Sequence, residues 1–137
     1  MITALLMIFI FIQSALPADL SQQESGVIVL MLSRFLSADQ EVLSFAVRKC
    51  AHFTEYMLLG MSLYVTVGEF FSYEEGSAVV HPVSWGIGTL YAVTDEVHQH
   101  FVPGRSCEIR DILIDSCGVA AGVLLMTIIR SVRGRRN

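Results

Sequence analysis

Charge is what this chain has least of. Asp, Glu, Lys and Arg supply 16% of its 137 residues, 53% are hydrophobic, and the mean hydropathy is +0.58. Soluble domains usually carry about 25% charged residues. So little charge on so short a chain excludes an ordinary soluble domain and leaves no room for a separate one beside a membrane region. Basic residues interleaved with aromatics are also missing, which excludes a nucleic-acid surface. No His-Glu-x-x-His helix and no Gly-x-Ser-x-Gly turn occurs, so the zinc-protease and serine-hydrolase signatures are absent. Cysteines number three, an odd count without Cys-x-x-Cys, so no disulfide framework is encoded. One bridge, Cys50 to Cys107, fits the sidedness argued below, and Cys117 reads as packed within the last helix. Between Lys49 and Arg105 the chain has no Lys or Arg at all.

What is there in abundance is apolar runs. Residues 1–16 are almost wholly apolar and uncharged. They fall short of the roughly 20 that span a bilayer, and the missing positive n-region favours a retained helix over a signal peptide. Residues 18–47 are mixed: Asp19, Glu24, Arg34, Asp39 and Glu41 surround the short run from Gly26 to Leu32, the pattern of an interfacial helix. The remaining spans are expected at 50–70, 83–100 and 112–129. Pro82 stands where a first helical turn tolerates it, and a loop with Glu69, Glu74 and Glu75 precedes it. Gly118 and Gly122 make a small-xxx-small pair that lets another helix approach closely. The expected fold is all-α, an integral membrane helical bundle of about four transmembrane helices plus a short interfacial helix. It forms one domain over 1–137 that ends in a basic tail at 130–137.

Arg130, Arg133, Arg135 and Arg136 in that tail predict a cytoplasmic C-terminus, and with four spans a cytoplasmic N-terminus too. Arg34, Arg48, Lys49, Arg105 and Arg110 then lie outside, against the positive-inside tendency; pairing with Asp95, Glu96, Asp111 or an anionic ligand would explain this, and an inverted topology is the rival explanation.

The polar residues concentrate in a few places. Arg48, His52 and Glu55 share one face of the second span, and Asp95, His98 and Gln99 share a face at the end of the third. Glu96, Arg105, Arg110, Asp111 and Asp115 complete the set. Ionisable groups in a membrane are costly and mark functional sites by default. Three readings follow. In the first, Arg48, Lys49, Arg105 and Arg110 clamp an anion, with Glu96, Gln99, Asp111 and Asp115 completing the pocket. Lipid headgroups, lipid-linked wall precursors and acidic surface polymers are the anions available there. In the second, His52 with Glu55 and His98 with Asp95 are acid–base pairs of an enzyme. The same four groups would also make a ligand set for a divalent metal, but no motif context assigns one. In the third, Arg110 with Asp115 and Glu55 with Tyr56 belong to a purely structural network. His81, Trp85 and Tyr91 read as interface residues, and His100 lies off the face of Asp95 and His98.

The stretch Arg48-Lys49-Cys50-Ala51-His52-Phe53-Thr54-Glu55-Tyr56 is followed by Asp95-Glu96-Val97-His98-Gln99-His100-Phe101-Val102-Pro103-Gly104-Arg105 and by Arg110-Asp111 with Asp115 and Gly118. In order and spacing these motifs resemble the VanZ-like family of small bacterial membrane proteins. Gln13-Ser14 and Pro17 resemble that family's opening element more loosely. The resemblance implies a cell-envelope protein of the bacterial cytoplasmic membrane, in a family named for an accessory factor in teicoplanin resistance. It implies no reaction.

Overall fold

The structure, a computed structural model, describes residues 1–36, 39–71 and 73–134, with side chains placed except at 18–19, 21–25 and 73–77. Arg135 and Arg136 of the tail lie outside the described residues. Five helices make up the fold: α1 (Ile2–Ser14), α2 (Ala18–Ser33), α3 (Gln40–Phe70), α4 (Tyr73–Gln99) and α5 (Ile109–Gly134). No strand occurs among the described residues. The all-α expectation therefore holds.

Helix α3 is the axis of the molecule. It touches all four other helices, and α5 is its most extensive neighbour. Glycine explains that closeness. A Cβ on Gly118 would lie 2.6 Å from the Phe53 carbonyl oxygen, one on Gly122 would strike Met57, and one on Gly60 would strike Val119. The small-xxx-small pair thus brings two backbones together, as its spacing predicts. Around this seam pack Tyr56, Leu59, Leu63, Val80, Ala92, Val119 and Val123, and Ile10 joins them from α1.

Polar contacts tie α1 into the bundle. Thr3 Oγ1 lies 2.6 Å from Ser62 Oγ and 2.7 Å from Thr66 Oγ1, and the Tyr91 hydroxyl donates to the Met7 carbonyl at 2.6 Å. Tyr91 is therefore an internal tie and not an interface anchor. Trp85 likewise donates its indole N–H to Ser116, at 3.1 Å to the hydroxyl. Helix α2 has α3 as its one extensive neighbour.

Several boundaries differ from the sequence reading. The mixed segment at 18–47 is not one helix: Asp39 caps a new start, its carboxylate accepting from the Glu41 amide at 2.8 Å, and residues 40–47 belong to α3. Capping by a short acidic side chain outweighed the switch in hydropathy near Cys50. Pro82 does not open a helix but sits inside α4, which begins at Tyr73 and takes in Glu74 and Glu75. A proline in a long helix is tolerated where packing holds the turn it weakens, and the neighbouring His81 is held by Thr127 at 2.7 Å and lies against Tyr64. Cys117 is exposed and not packed, and Cys50 and Cys107 are free and exposed, so the bridge between them is not formed.

Among the described residues, one helix, α5, is long and apolar enough to cross a membrane. Its most apolar stretch is only 33% buried, whereas a core helix of a soluble protein is mostly buried. Helices α3 and α4 have the length, roughly 46 and 40 Å at 1.5 Å per residue, but their polar groups dilute the apolar signal.

Candidate functional site

The C-terminal ends of α1 and α4, the first half of α3, the start of α5 and the loop at 100–108 meet at one end of the bundle. The turn leaving α4 is fixed by backbone bonds from Phe101 to His98 and from Val102 to Gln99, with Val102 inserted as an apolar plug. Gly104 has a φ of 76°, a left-handed conformation that side chains disfavour. That reversal sends Arg105 back across the bundle.

Asp95 is the buried centre of this end, 2% exposed. Its carboxylate accepts from Ser14 Oγ at 2.5 Å, Tyr56 OH at 3.2 Å and Gln99 Nε2 at 3.3 Å. Three helices therefore converge on one acid. Glu96, also buried, accepts from the Glu108 amide at 2.7 Å and so anchors the loop at the start of α5. Ser14 was singled out in the sequence only as part of a loose motif, and nothing in its spacing announces a partner at position 95.

Arg105 uses the three arms of its guanidinium. Nε donates to the Leu16 carbonyl at 2.9 Å, Nη2 to the Gln13 carbonyl at 3.4 Å and Nη1 to Gln99 Oε1 at 3.2 Å. Those carbonyls lie at and just beyond the C-terminal end of α1, where a cation is favoured by the helix dipole. Burial pushes the Arg105 pKa below its ordinary value, and the like charge of Arg48 pushes the same way. The positive charge is thus held by neutral carbonyl and amide oxygens, with no carboxylate in direct contact among the described residues.

In front of these groups lies a cavity of about 290 Å³, bounded by Arg48, Lys49, His52, Gln99, Arg105 and Asp111. Lys49 is ion-paired with Asp111. Arg48 Nε is buried with no hydrogen-bond partner among the described residues. A buried donor left unpaired is costly, by about 1–3 kcal/mol.

The acid–base pairs expected from spacing are not the ones formed. His52 faces Asp115 across the α3–α5 seam, Nδ1 3.9 Å from Oδ1, and not Glu55. Glu55 turns instead to a separate apolar groove between α2 and α3, beside Leu32 and Leu58. His98 does not pair with Asp95. It stacks on Phe11 with centroids 4.3 Å apart, and its Nδ1 is buried without a partner. Residues three apart share a broad helix face, but the 60° between them lets one side chain turn to α1 and the other to the core. Arg110 is not among the residues lining the cavity; it pairs at 3.1 Å with Glu108, which is, and forms no ion pair with Asp115 among the described residues. Among the described residues, no group of three or more His, Cys, Asp or Glu side chains is arranged to hold a metal.

These features define a class: an all-helical protein with a membrane-compatible helix and a buried polar centre at one end. A family model described as VanZ/LLP1 matches residues 1–130. The chain belongs to the VanZ/LLP1 family. No curated protein and no solved structure matches it.

Proposed function

We propose that the protein is a multi-pass bacterial cytoplasmic-membrane protein, its termini cytoplasmic, whose polar end faces outward and binds an anion. The ligand is a phosphate or carboxylate carried by a lipid, a lipid-linked wall precursor or a surface polymer. The observation that supports this reading is the cavity lined by Arg48, whose Nε is buried without a partner among the described residues, and by Arg105, whose charge no carboxylate contacts directly among those residues. The large apolar side chains exposed along the outside of the bundle, among them Leu5, Phe9, Leu90, Leu113 and Leu124, suit a lipid environment for more than one helix. Family membership supports a role in the cell envelope, with glycopeptide resistance as one such role.

The test is extraction of the purified protein followed by mass spectrometry of what accompanies it, in the native chain and in Arg48→Gln. An anionic component present with the first and lost from the second is the expected result. Equal recovery from both, at equal amounts of folded protein, would remove the cavity from consideration. A cysteine-accessibility map reads sidedness, with position 105 expected to be labelled from outside.

A second reading, an enzyme acting on the same anion, is favoured by one arrangement: His52 lines the cavity while buried Asp115 stands behind its Nδ1. The 3.9 Å separation is too long for a hydrogen bond, and a small closure that formed one would orient the ring and leave its other nitrogen to exchange a proton with a bound ligand. His52→Ala that keeps the ligand but abolishes its conversion selects the enzyme; retention of an unaltered ligand by the native protein selects the binder.

A further inference from the structure

The charged cavity is not closed on all sides. Phe45 and Arg48 belong both to its wall and to the wall of a second space, an open cleft of about 840 Å³ between α2 and α3. Gly26, Val29 and Leu30 give that cleft an apolar wall on α2, while its α3 wall is mixed, with Val42 and Phe45 beside Gln40, Glu41, Ser44 and Arg48. Gly26 contributes to the space by having no side chain: a Cβ there would meet nothing within 4 Å. The groove on the other flank of α2, where Glu55 lies, shares no lining residue with the charged cavity.

We propose that the ligand is amphipathic, a lipid whose anionic head occupies the cavity at Arg48 and Arg105 and whose acyl chain lies in the α2–α3 cleft past Phe45 and Val29. This rests on the anion-binding reading of the same cavity and narrows it from any anion to one attached to an apolar tail. Arg48 supports the choice because it lines both spaces, and an arginine at such a junction can offer its guanidinium to an anion and its methylene stem to an apolar chain. A soluble phosphate or a carboxylate polymer would leave the cleft empty. The acyl chain gains by burying methylene groups there, and the ordering of head and tail in one site makes the two contributions reinforce each other.

The experiment uses the full-length protein in an uncharged detergent. Retention of phosphatidylglycerol and of phosphatidylcholine is read by native mass spectrometry, and binding of inorganic phosphate by calorimetry. Two variants separate head from tail. Gly26→Trp fills the cleft at a position open to a larger side chain, and Arg48→Gln removes the charge at the junction. Phosphatidylglycerol is expected to be retained about tenfold more than phosphatidylcholine by the native chain, a difference of about one decade in the dissociation constant. Gly26→Trp should lower phosphatidylglycerol retention by a similar factor and leave phosphate binding unchanged, while Arg48→Gln should weaken both. If Gly26→Trp retains phosphatidylglycerol as the native chain does, the cleft does not hold the tail, and the tail proposal falls while the anion site stands. If Arg48→Gln changes neither ligand, the anion site itself is wrong. Thermal unfolding of both variants at the native midpoint keeps loss of fold from imitating loss of binding.

Discussion

The α3–α5 seam and the polar end make contact by opposite means. Along the seam, Gly60, Gly118 and Gly122 let backbones meet because nothing intervenes. At the polar end, Asp95 joins α1, α3 and α4 through hydrogen bonds from Ser14, Tyr56 and Gln99 to a single buried carboxylate. Seam contacts have no alternative partner and tolerate no added atom. Contacts at the polar end are hydrogen bonds between side chains, and one donor there, Arg48 Nε, has no partner among the described residues. The seam is therefore the rigid frame, and the polar end is where binding free energy can be gained without unfolding.

The largest effect expected from breaking this contrast is in the seam. Gly122→Val forces a side chain against the Met57 carbonyl and should cost about 3 kcal/mol or more, as overpacking does when backbone must move. Gly86→Ala is the matched control: a Cβ there meets nothing, and removing a helical glycine should stabilise by about 0.5 kcal/mol. Denaturant titration of both in detergent reads the difference. If Gly122→Val unfolds at the native midpoint, the close approach of α3 and α5 is wrong.

An intermediate effect is expected at the centre of the polar end. Asp95→Ala leaves the donors of Ser14, Tyr56 and Gln99 without their common acceptor, at a cost of about 2 kcal/mol. Hydrogen exchange should show the end of α1 opening first, because Ser14 and Arg105 are its ties there. Equal protection of residues 10–16 in variant and native protein would mean that α1 is held by its apolar contacts alone.

The smallest effect separates two arginines that the sequence treats alike. Arg110→Ala should change stability by no more than about 0.5 kcal/mol, since an exposed pair with Glu108 contributes little, and should leave anion binding untouched. Arg105→Lys should be felt more, because a single ammonium replaces a fork bonded to Leu16, Gln13 and Gln99. Calorimetry with inorganic phosphate compares the two directly. A larger loss in Arg110→Ala than in Arg105→Lys would reverse the assignment of the cavity wall.

Much of the fold was legible before any coordinates. Apolar runs gave helices near their true places, and Gly118 and Gly122 announced a close helix pair. Ends were less legible where two local signals competed, as at Asp39, whose cap starts α3 well before the apolar run, and at Pro82, which packing keeps inside α4. The polar residues of the site were visible as a set because ionisable groups stand out in so apolar a chain. Their pairing was not visible, since helical periodicity reports which residues share a face and says nothing of what that face meets.

Sequence alone thus determined the class of fold, the family motifs and the inventory of charged groups, all of which follow from composition and from spacing along one helix. Tertiary structure decided that Asp95 meets Ser14, that His52 meets Asp115 and not Glu55, that Arg105 turns back onto α1, and that Arg110 is left outside. Each of those contacts depends on how separate helices cross and rotate against one another. That geometry is set by the glycine seam and the plug at Val102, which act between segments far apart in the chain and leave no period within any one of them.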